Sequence, residues 1–237
     1  MAELIREAPA RALAIYAHPD DPEVSCGGLL ACWSRAGTEV HAVVATVGDK
    51  GTLDADADGD ALARRRSLEV EAAAAVLGLA GVEMLGHLDG ALSAAPSLVA
   101  ELVGAVRTLK PDVVVGVDPT AVFFGDGYVN HVDHRSIGWA TLDAVAPAAS
   151  SPLYFPERGP AHQVGTLLLS GTLEPDAWVD VESTLDVKVE AMFCHRSQLA
   201  PDAGTWLGDF VRQRAFDEGR RAGVRYAEGF RRLRLVR

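Results

Sequence analysis

Short apolar runs rich in valine alternate along this chain with longer alanine-rich stretches whose apolar positions recur at helical spacing. Ala12 to Ala17, Val40 to Val47, Val82 to Leu85, Val113 to Val117 and Val164 to Leu169 predict buried strands. Between them, segments of about Leu29 to Ala36, Ala61 to Leu77 and Leu98 to Leu109 predict helices, stopped by Gly37, Gly78 and Pro111. Strand and helix in alternation require crossovers, so the fold class is α/β: a mostly parallel sheet flanked by helices, with a small C-terminal α/β portion. The pattern reads as one domain over residues 1–237, with a core of about 10–148 and a C-terminal portion of about 160–237. The Ala-, Pro- and Ser-rich stretch 146–160 would join them. The arginine-rich segment Arg212 to Arg237 reads as a solvated helix face that pairs with nearby acids.

Composition narrows the function classes. The 237 residues carry a net charge of -11, which argues against nucleic acid and against anionic lipid as partners. No run approaches the roughly 20 apolar residues of a membrane span. Glu3, Arg6 and Glu7 precede a short apolar run without the basic-then-apolar layout of a signal peptide, so the expected location is the cytoplasm. Cys26, Cys32 and Cys194 are odd in number and scattered, which suits reduced thiols rather than a disulfide framework or a metal knuckle. The four tryptophans read as core or interface residues.

Two motifs carry chemistry. Ala17-His18-Pro19-Asp20-Asp21-Pro22-Glu23 follows the first predicted strand directly, where an α/β sheet places its ligands. The prolines fix the loop. A histidine and a carboxylate within three residues can reach one metal ion, and imidazole nitrogen and carboxylate oxygen are both zinc ligands. Of the adjacent pair Asp20 and Asp21, one can bind metal while the other faces the activated water. The same sequence would also serve as a turn that caps a helix. Gly27 and Gly28 are read as the start of the following helix, and the G-x-G-x-x-G of a dinucleotide site is absent. The second motif, Asn130-His131-Val132-Asp133-His134, sets two histidines on one side of a helical turn with Asn130 as the cap. Two histidines and a carboxylate would leave a fourth position open, as catalytic zinc sites do. The acidic run from Asp54 to Asp60 starts like a calcium loop. Its twelfth position is Arg65, where the loop needs glutamate, so that reading fails.

With both motifs in order, the chain resembles the PIG-L/LmbE-like family of zinc-dependent N-deacetylases. Residues 17–28 match its Ala-His-Pro-Asp-Asp-x-Glu motif with the following Gly-Gly, and residues 131–134 match its His-x-Asp-His motif. Weaker echoes run through Arg66-x-x-Glu69, Leu85 to Gly90, Lys188 with His195 to Gln198, and Tyr226 to Phe230. The resemblance implies a Rossmann-like fold, with His18, Asp21 and His134 as metal ligands. It implies Asp20 as general base, His131 as the group that stabilises or protonates the tetrahedral intermediate, and Asp133 as the residue that orients or tunes His131. A protonated His131 is expected, its pKa raised by Asp133. Arg66 and Asp89 fall where relatives contact substrate. Zinc is the implied cofactor, and ligand type alone does not separate it from ferrous iron. The implied reaction removes an acetyl group from an N-acetylglucosamine-like sugar by a metal-activated water. The partner is then a small N-acylated sugar, and members of the family often form homo-oligomers. Two alternatives remain open: an amidase for a larger acyl group on a thiol-sugar conjugate, and a metal-binding module without catalysis.

Overall fold

The computed structural model describes residues 3–235. Its elements, in chain order, are β1 (Glu3–Leu4), β2 (Arg11–Tyr16), α1 (Asp21–Arg35), β3 (Glu39–Thr46), α2 (Gly59–Leu77), β4 (Gly81–His87), α3 (Pro96–Leu109) and β5 (Val113–Val117). A small hairpin, β6 (Phe123–Phe124) and β7 (Tyr128–Val129), leads into α4 (Val132–Asp143). Then come β8 (Thr166–Ser170), β9 (Ala177–Asp180), α5 (Leu185–Met192), α6 (Ala203–Ala222) and β10 (Ala227–Arg234). Every strand foreseen from the valine runs is present, and the fold is the mostly parallel, helix-flanked sheet that the alternation predicts. Among the described residues no helix is long and apolar enough to cross a membrane.

The main sheet runs β1-β9-β10-β8-β5-β2-β3-β4, parallel throughout except that β10 lies antiparallel to both β8 and β9. Helices α1, α2 and α5 pack together on one face, and α3 and α4 on the other. The central strands β2 and β5 are therefore buried on both faces, which is why they read as unbroken apolar runs and not as alternation. From β2 the chain moves to β3 and β4 on one side, then returns to place β5 on the other. The order thus reverses between β2 and β5, and the crevice at their carboxyl ends is the topological switch point. One motif follows β2 and the other follows β5.

Three departures from the sequence reading have physical causes. First, α1 begins at Asp21, not near Leu29, so the first motif is itself the first turn of a helix. Pro22 sits where a missing N–H costs nothing, and Asp21 and Glu23 place negative charge at the positive helix end. Second, Gly27 and Gly28 lie inside α1, next to a kink at Cys26. A Cβ on Gly28 would stand 2.8 Å from Val181 Cγ1 and 3.0 Å from Glu228 Oε1, so the glycine permits close approach of the C-terminal strands. Third, the arginine-rich tail is half helix and half strand. Its arginines do pair with acids, Arg212 with Asp186, Arg225 with Glu182 and Arg234 with Glu3, but Arg231, Arg232 and Arg234 lie on β10. The arginine-bearing half of β10, Arg231 to Arg234, pairs with β8, and its first half, Ala227 to Phe230, pairs with β9.

Candidate metal centre at the switch point

The chain leaves β2 through buried Ala17 and turns sharply. Asp20 is held at φ 106°, a left-handed conformation unusual for any residue but glycine. Strain of this kind persists only where surroundings enforce it. Here Arg66 of α2, 3 % exposed, reaches under the turn. Its guanidinium donates to the Pro19 and Gly48 carbonyls and lies 3.3 Å from Asp20 Oδ1. A Cβ on Gly48 or Gly51 would fall 2.3 or 2.4 Å from Arg66 Nη1, so the β3–α2 loop is thinned to let the arginine through. Arg66, expected among the substrate contacts, is instead taken up by the loop. The physical reason is its burial: both terminal nitrogens are already committed to backbone and to Asp20.

On the β5 side, Asn130 is fixed by donating Nδ2 to the Ala121 carbonyl, which turns its Oδ1 toward His134 Nδ1 at 2.9 Å. An amide oxygen only accepts, so His134 carries its proton on Nδ1 and presents Nε2 as a lone pair. His18 is oriented in the same way from behind. Its Nε2 lies 3.2 Å from Asp133 and 3.3 Å from Asp89, leaving Nδ1 to face forward. Asp21 is locked by the His18 backbone N–H at 2.7 Å. The three side chains form a compact triangle: His18 Nδ1 to His134 Nε2 is 3.1 Å, His18 Nδ1 to Asp21 Oδ2 is 3.4 Å, and His134 Nε2 to Asp21 Oδ1 is 3.2 Å. A tetrahedral ion with bonds of about 2.0–2.1 Å spaces its ligands about 3.3 Å apart, so the triangle fits such an ion. The donor set, two imidazoles and one carboxylate with buttressed outer nitrogens, fits it chemically as well.

Charge supports the same fit. Asp21, Asp89 and Asp133 all crowd His18. Burial opposes a charge on His18, but Asp21, then Asp89 and Asp133, outweigh it and raise its pKa to about 9. Burial likewise opposes ionisation of Asp21, yet hydrogen bonds and charge from His134 and His18 hold it far below the usual carboxylate range. Three carboxylates around His18 give the cluster a surplus of negative charge that a bound cation would balance. Asp20 lies beside the triangle and is pushed up to about 7 by burial and by the charge of Asp21, against the pull of Arg66.

The remaining predicted residues fall close by, with changed partners. Asp133 is completely buried and accepts from the Gly90 and Leu92 amides. Its nearest imidazole is His18. His131 Nδ1 lies 3.9 Å away and is occupied in accepting the Asp133 backbone N–H at the start of α4. The proton of His131 is therefore on Nε2. Burial and the nearby charge of His18 lower its pKa, with Asp133 the weaker, opposing influence. Asp133, expected to orient or tune His131, thus lies nearer to His18, with His131 at 3.9 Å. Asp89, expected at the substrate, sits beneath His18 with its backbone bonded to Asp49 and Lys50. The cap of α4 is His131 and not, as expected, Asn130, whose side chain instead holds His134, a role that sequence reading did not suggest. The signal was its i,i+4 spacing.

With this geometry established, similarity to known proteins becomes informative. The model of the PIG-L family, described as GlcNAc-PI de-N-acetylase, matches residues 13–145. A diacetylchitobiose deacetylase of Thermococcus kodakarensis is 29 % identical over 93 % of this chain and 82 % of its own length. A 1D-myo-inositol 2-acetamido-2-deoxy-alpha-D-glucopyranoside deacetylase of Rhodococcus jostii is 30 % identical over 80 % of this chain and 82 % of its own. Among solved structures, the N,N'-diacetylchitobiose deacetylase of Pyrococcus horikoshii superposes with a TM-score of 0.86 at 31 % identity, covering 95 % of this chain and 84 % of that one. A Pseudomonas putida hydratase superposes at 0.76 with 22 % identity, which attests the fold alone. Fold and kinship together define an N-deacetylase, a hydrolase of C–N bonds other than peptide bonds. The chain belongs to the PIG-L family.

Proposed function

We propose that this protein removes the acetyl group from the nitrogen of an N-acetylglucosamine-type sugar, with one zinc ion held by His18, Asp21 and His134. The observation that carries this reading is the triangle of 3.1–3.4 Å among those three side chains, with Asp20 beside it. Bound there, zinc supplies Lewis acidity, polarising the amide carbonyl and lowering the pKa of water.

The chain's own residues do the rest. Asp20 accepts the proton of the attacking water. Burial and the charge of Asp21 keep its carboxylate a stronger base than an exposed aspartate, a match to proton transfer near neutral pH. Arg66 holds Asp20 in its left-handed turn and so acts as a positioning residue, not as a substrate contact. His131, neutral and with its proton on Nε2, donates to the carbonyl oxygen as negative charge develops there. One such donor is worth about 100- to 1000-fold in rate. Asp20 then returns its proton to the departing amine. Asp133 and Asp89 hold His18, and Asn130 holds His134. The three thiols are free, which suits a reducing cytoplasm.

The test is acetate release from a panel of N-acetylglucosaminides, before and after chelation and zinc readdition, with metal content measured alongside. Release that stops on chelation and returns with zinc is the expected result. A protein that holds one zinc per chain yet hydrolyses none of the panel would reject the substrate class. Recovery with ferrous iron but not zinc would reject the metal.

A further inference from the structure

Two cavities flank the first turn of α1, separated by a ridge formed by Val24 and Met192, which line both. They differ in chemistry. The larger, of about 350 Å³, is bordered by hydroxyl-bonding and charged groups, Thr172, Arg214 and Asp217, together with the half-buried ring of Phe124 and the exposed ring of Phe210. The other, of about 320 Å³, has Asp20 on its wall and is otherwise largely apolar, through Val24, Met192, Leu199, Trp206 and Leu207. His195 and Gln198 contribute its few remaining polar groups. The His195 Nε2 lies 3.2 Å from Glu23, and Gln198 donates to Ser197.

An amide carbonyl has two substituents: the nitrogen, which leads to the sugar, and the acyl chain. The cavity with Asp20 in its wall is suited to hydrocarbon, and the one suited to hydroxyls lies across the ridge of Val24 and Met192. We infer that the apolar cavity next to Asp20 is an acyl pocket, and that the protein takes N-acyl sugars whose chain is longer than acetyl, in the range of butanoyl to octanoyl. This rests on the deacetylase reading above and extends the acyl class it acts on. The volume is the argument against acetyl alone. A methyl is about the size of a water molecule, whose share of liquid is roughly 30 Å³, so it would leave most of 320 Å³ unfilled. Trp206, 44 % exposed on α6, gains burial only if a chain lies against it. The reaction is unchanged: water adds to the carbonyl, the C–N bond breaks, and the products are the free amine and a carboxylate of the same chain length.

The experiment is a series of N-acetyl-, N-butanoyl-, N-hexanoyl- and N-octanoyl-glucosamine, with kcat/KM read from free amine released by the zinc-loaded, full-length protein. Burying four further methylenes should raise kcat/KM from acetyl to hexanoyl about tenfold or more. Ala200→Trp, at an exposed position on the cavity rim, should cut the hexanoyl-to-acetyl ratio at least tenfold. Trp206→Ala, which removes a wall, should lower the same ratio should the first variant fold poorly. Hydrolysis of the acetyl sugar with kcat/KM falling along the series would overturn the acyl pocket and leave the deacetylase reading standing. A wild-type preference for hexanoyl that neither folded variant alters would overturn the assignment to this cavity. No hydrolysis of any member would overturn both readings.

Discussion

Two polar clusters are buried in this protein, and they are built on opposite terms. Behind α1, Lys188 donates to Glu228 at 2.6 Å and to the Val24 carbonyl, while Glu228 accepts the backbone N–H groups of Gly28 and Leu29. One cation meets one anion, and their main hydrogen-bonding capacity is used within the chain. At the switch point, by contrast, Asp21, Asp89 and Asp133 surround one histidine, with Asp20 beside them and the Arg66 cation turned toward the loop backbone. Both clusters have buried members, Lys188 and Glu228 in one and His18, Asp89 and Asp133 in the other, so burial alone does not distinguish them. Closure does. A buried pair that is satisfied by its own neighbours fixes architecture, here the seam between the N-terminal motif and the C-terminal strands. A buried cluster with surplus negative charge and forward-facing lone pairs calls for a bound cation.

The sharpest way to break this contrast is to remove one charge from each cluster. Asp20→Asn keeps the shape of the turn and removes the proton acceptor. Turnover should fall about 100- to 10,000-fold, with zinc content still near one per chain by elemental analysis. If the variant retains a tenth of wild-type turnover, Asp20 is not the base. In the closed cluster, Lys188→Met leaves the Glu228 carboxylate buried without its cation. The expected cost is about 3–5 kcal/mol of folding stability by chemical denaturation. A shift within error would mean that the two backbone donors alone satisfy Glu228, and the contrast would weaken. Arg66→Lys tests the bridge between stability and chemistry. A lysine cannot reach Pro19, Gly48 and Asp20 together, so kcat should drop about 10- to 100-fold with KM nearly unchanged. A rise in KM alone would return Arg66 to substrate contact.

These tests also mark what sequence could and could not tell. The strands were legible because β2 and β5 are buried on both faces and must be apolar without interruption. The candidate ligands were legible because metal-binding residue types are rare in such dense runs just after a strand. Partnership was not legible. Nothing local says that Asp133 turns to His18 rather than to His131 two residues away, because the choice depends on Gly90 and Leu92 amides some forty residues distant. Nor does the RxxE segment reveal that Arg66 is sealed beneath the loop. That follows from Gly48 and Gly51 lying where a Cβ would collide with it. The boundary of α1 was misjudged for a simpler reason: a His-Pro-Asp-Asp-Pro string looks like a turn, and the left-handed Asp20 that converts it into a helix start is imposed by α2, far along the chain.

The smallest expected effect concerns a residue that touches neither substrate nor metal. Asn130 fixes the tautomer and tilt of His134 through a single bond of 2.9 Å, and is itself anchored to Ala121. In Asn130→Ala, His134 keeps its place in the first turn of α4 but loses the acceptor that holds its proton on Nδ1. Nε2 then bears the proton part of the time, and protonated it cannot bind metal. Outer-shell partners of metal-binding histidines are typically worth 10- to 100-fold in affinity. A neutral amide acceptor is weaker than a carboxylate, so about tenfold is expected here, read as a shift in the zinc concentration that half-restores activity after chelation. Saturating zinc should bring kcat back close to the wild-type value. If kcat stays low at saturating zinc, Asn130 acts on the chemical step and not on the metal. The charge cluster at the switch point would then extend one residue further than its carboxylates indicate.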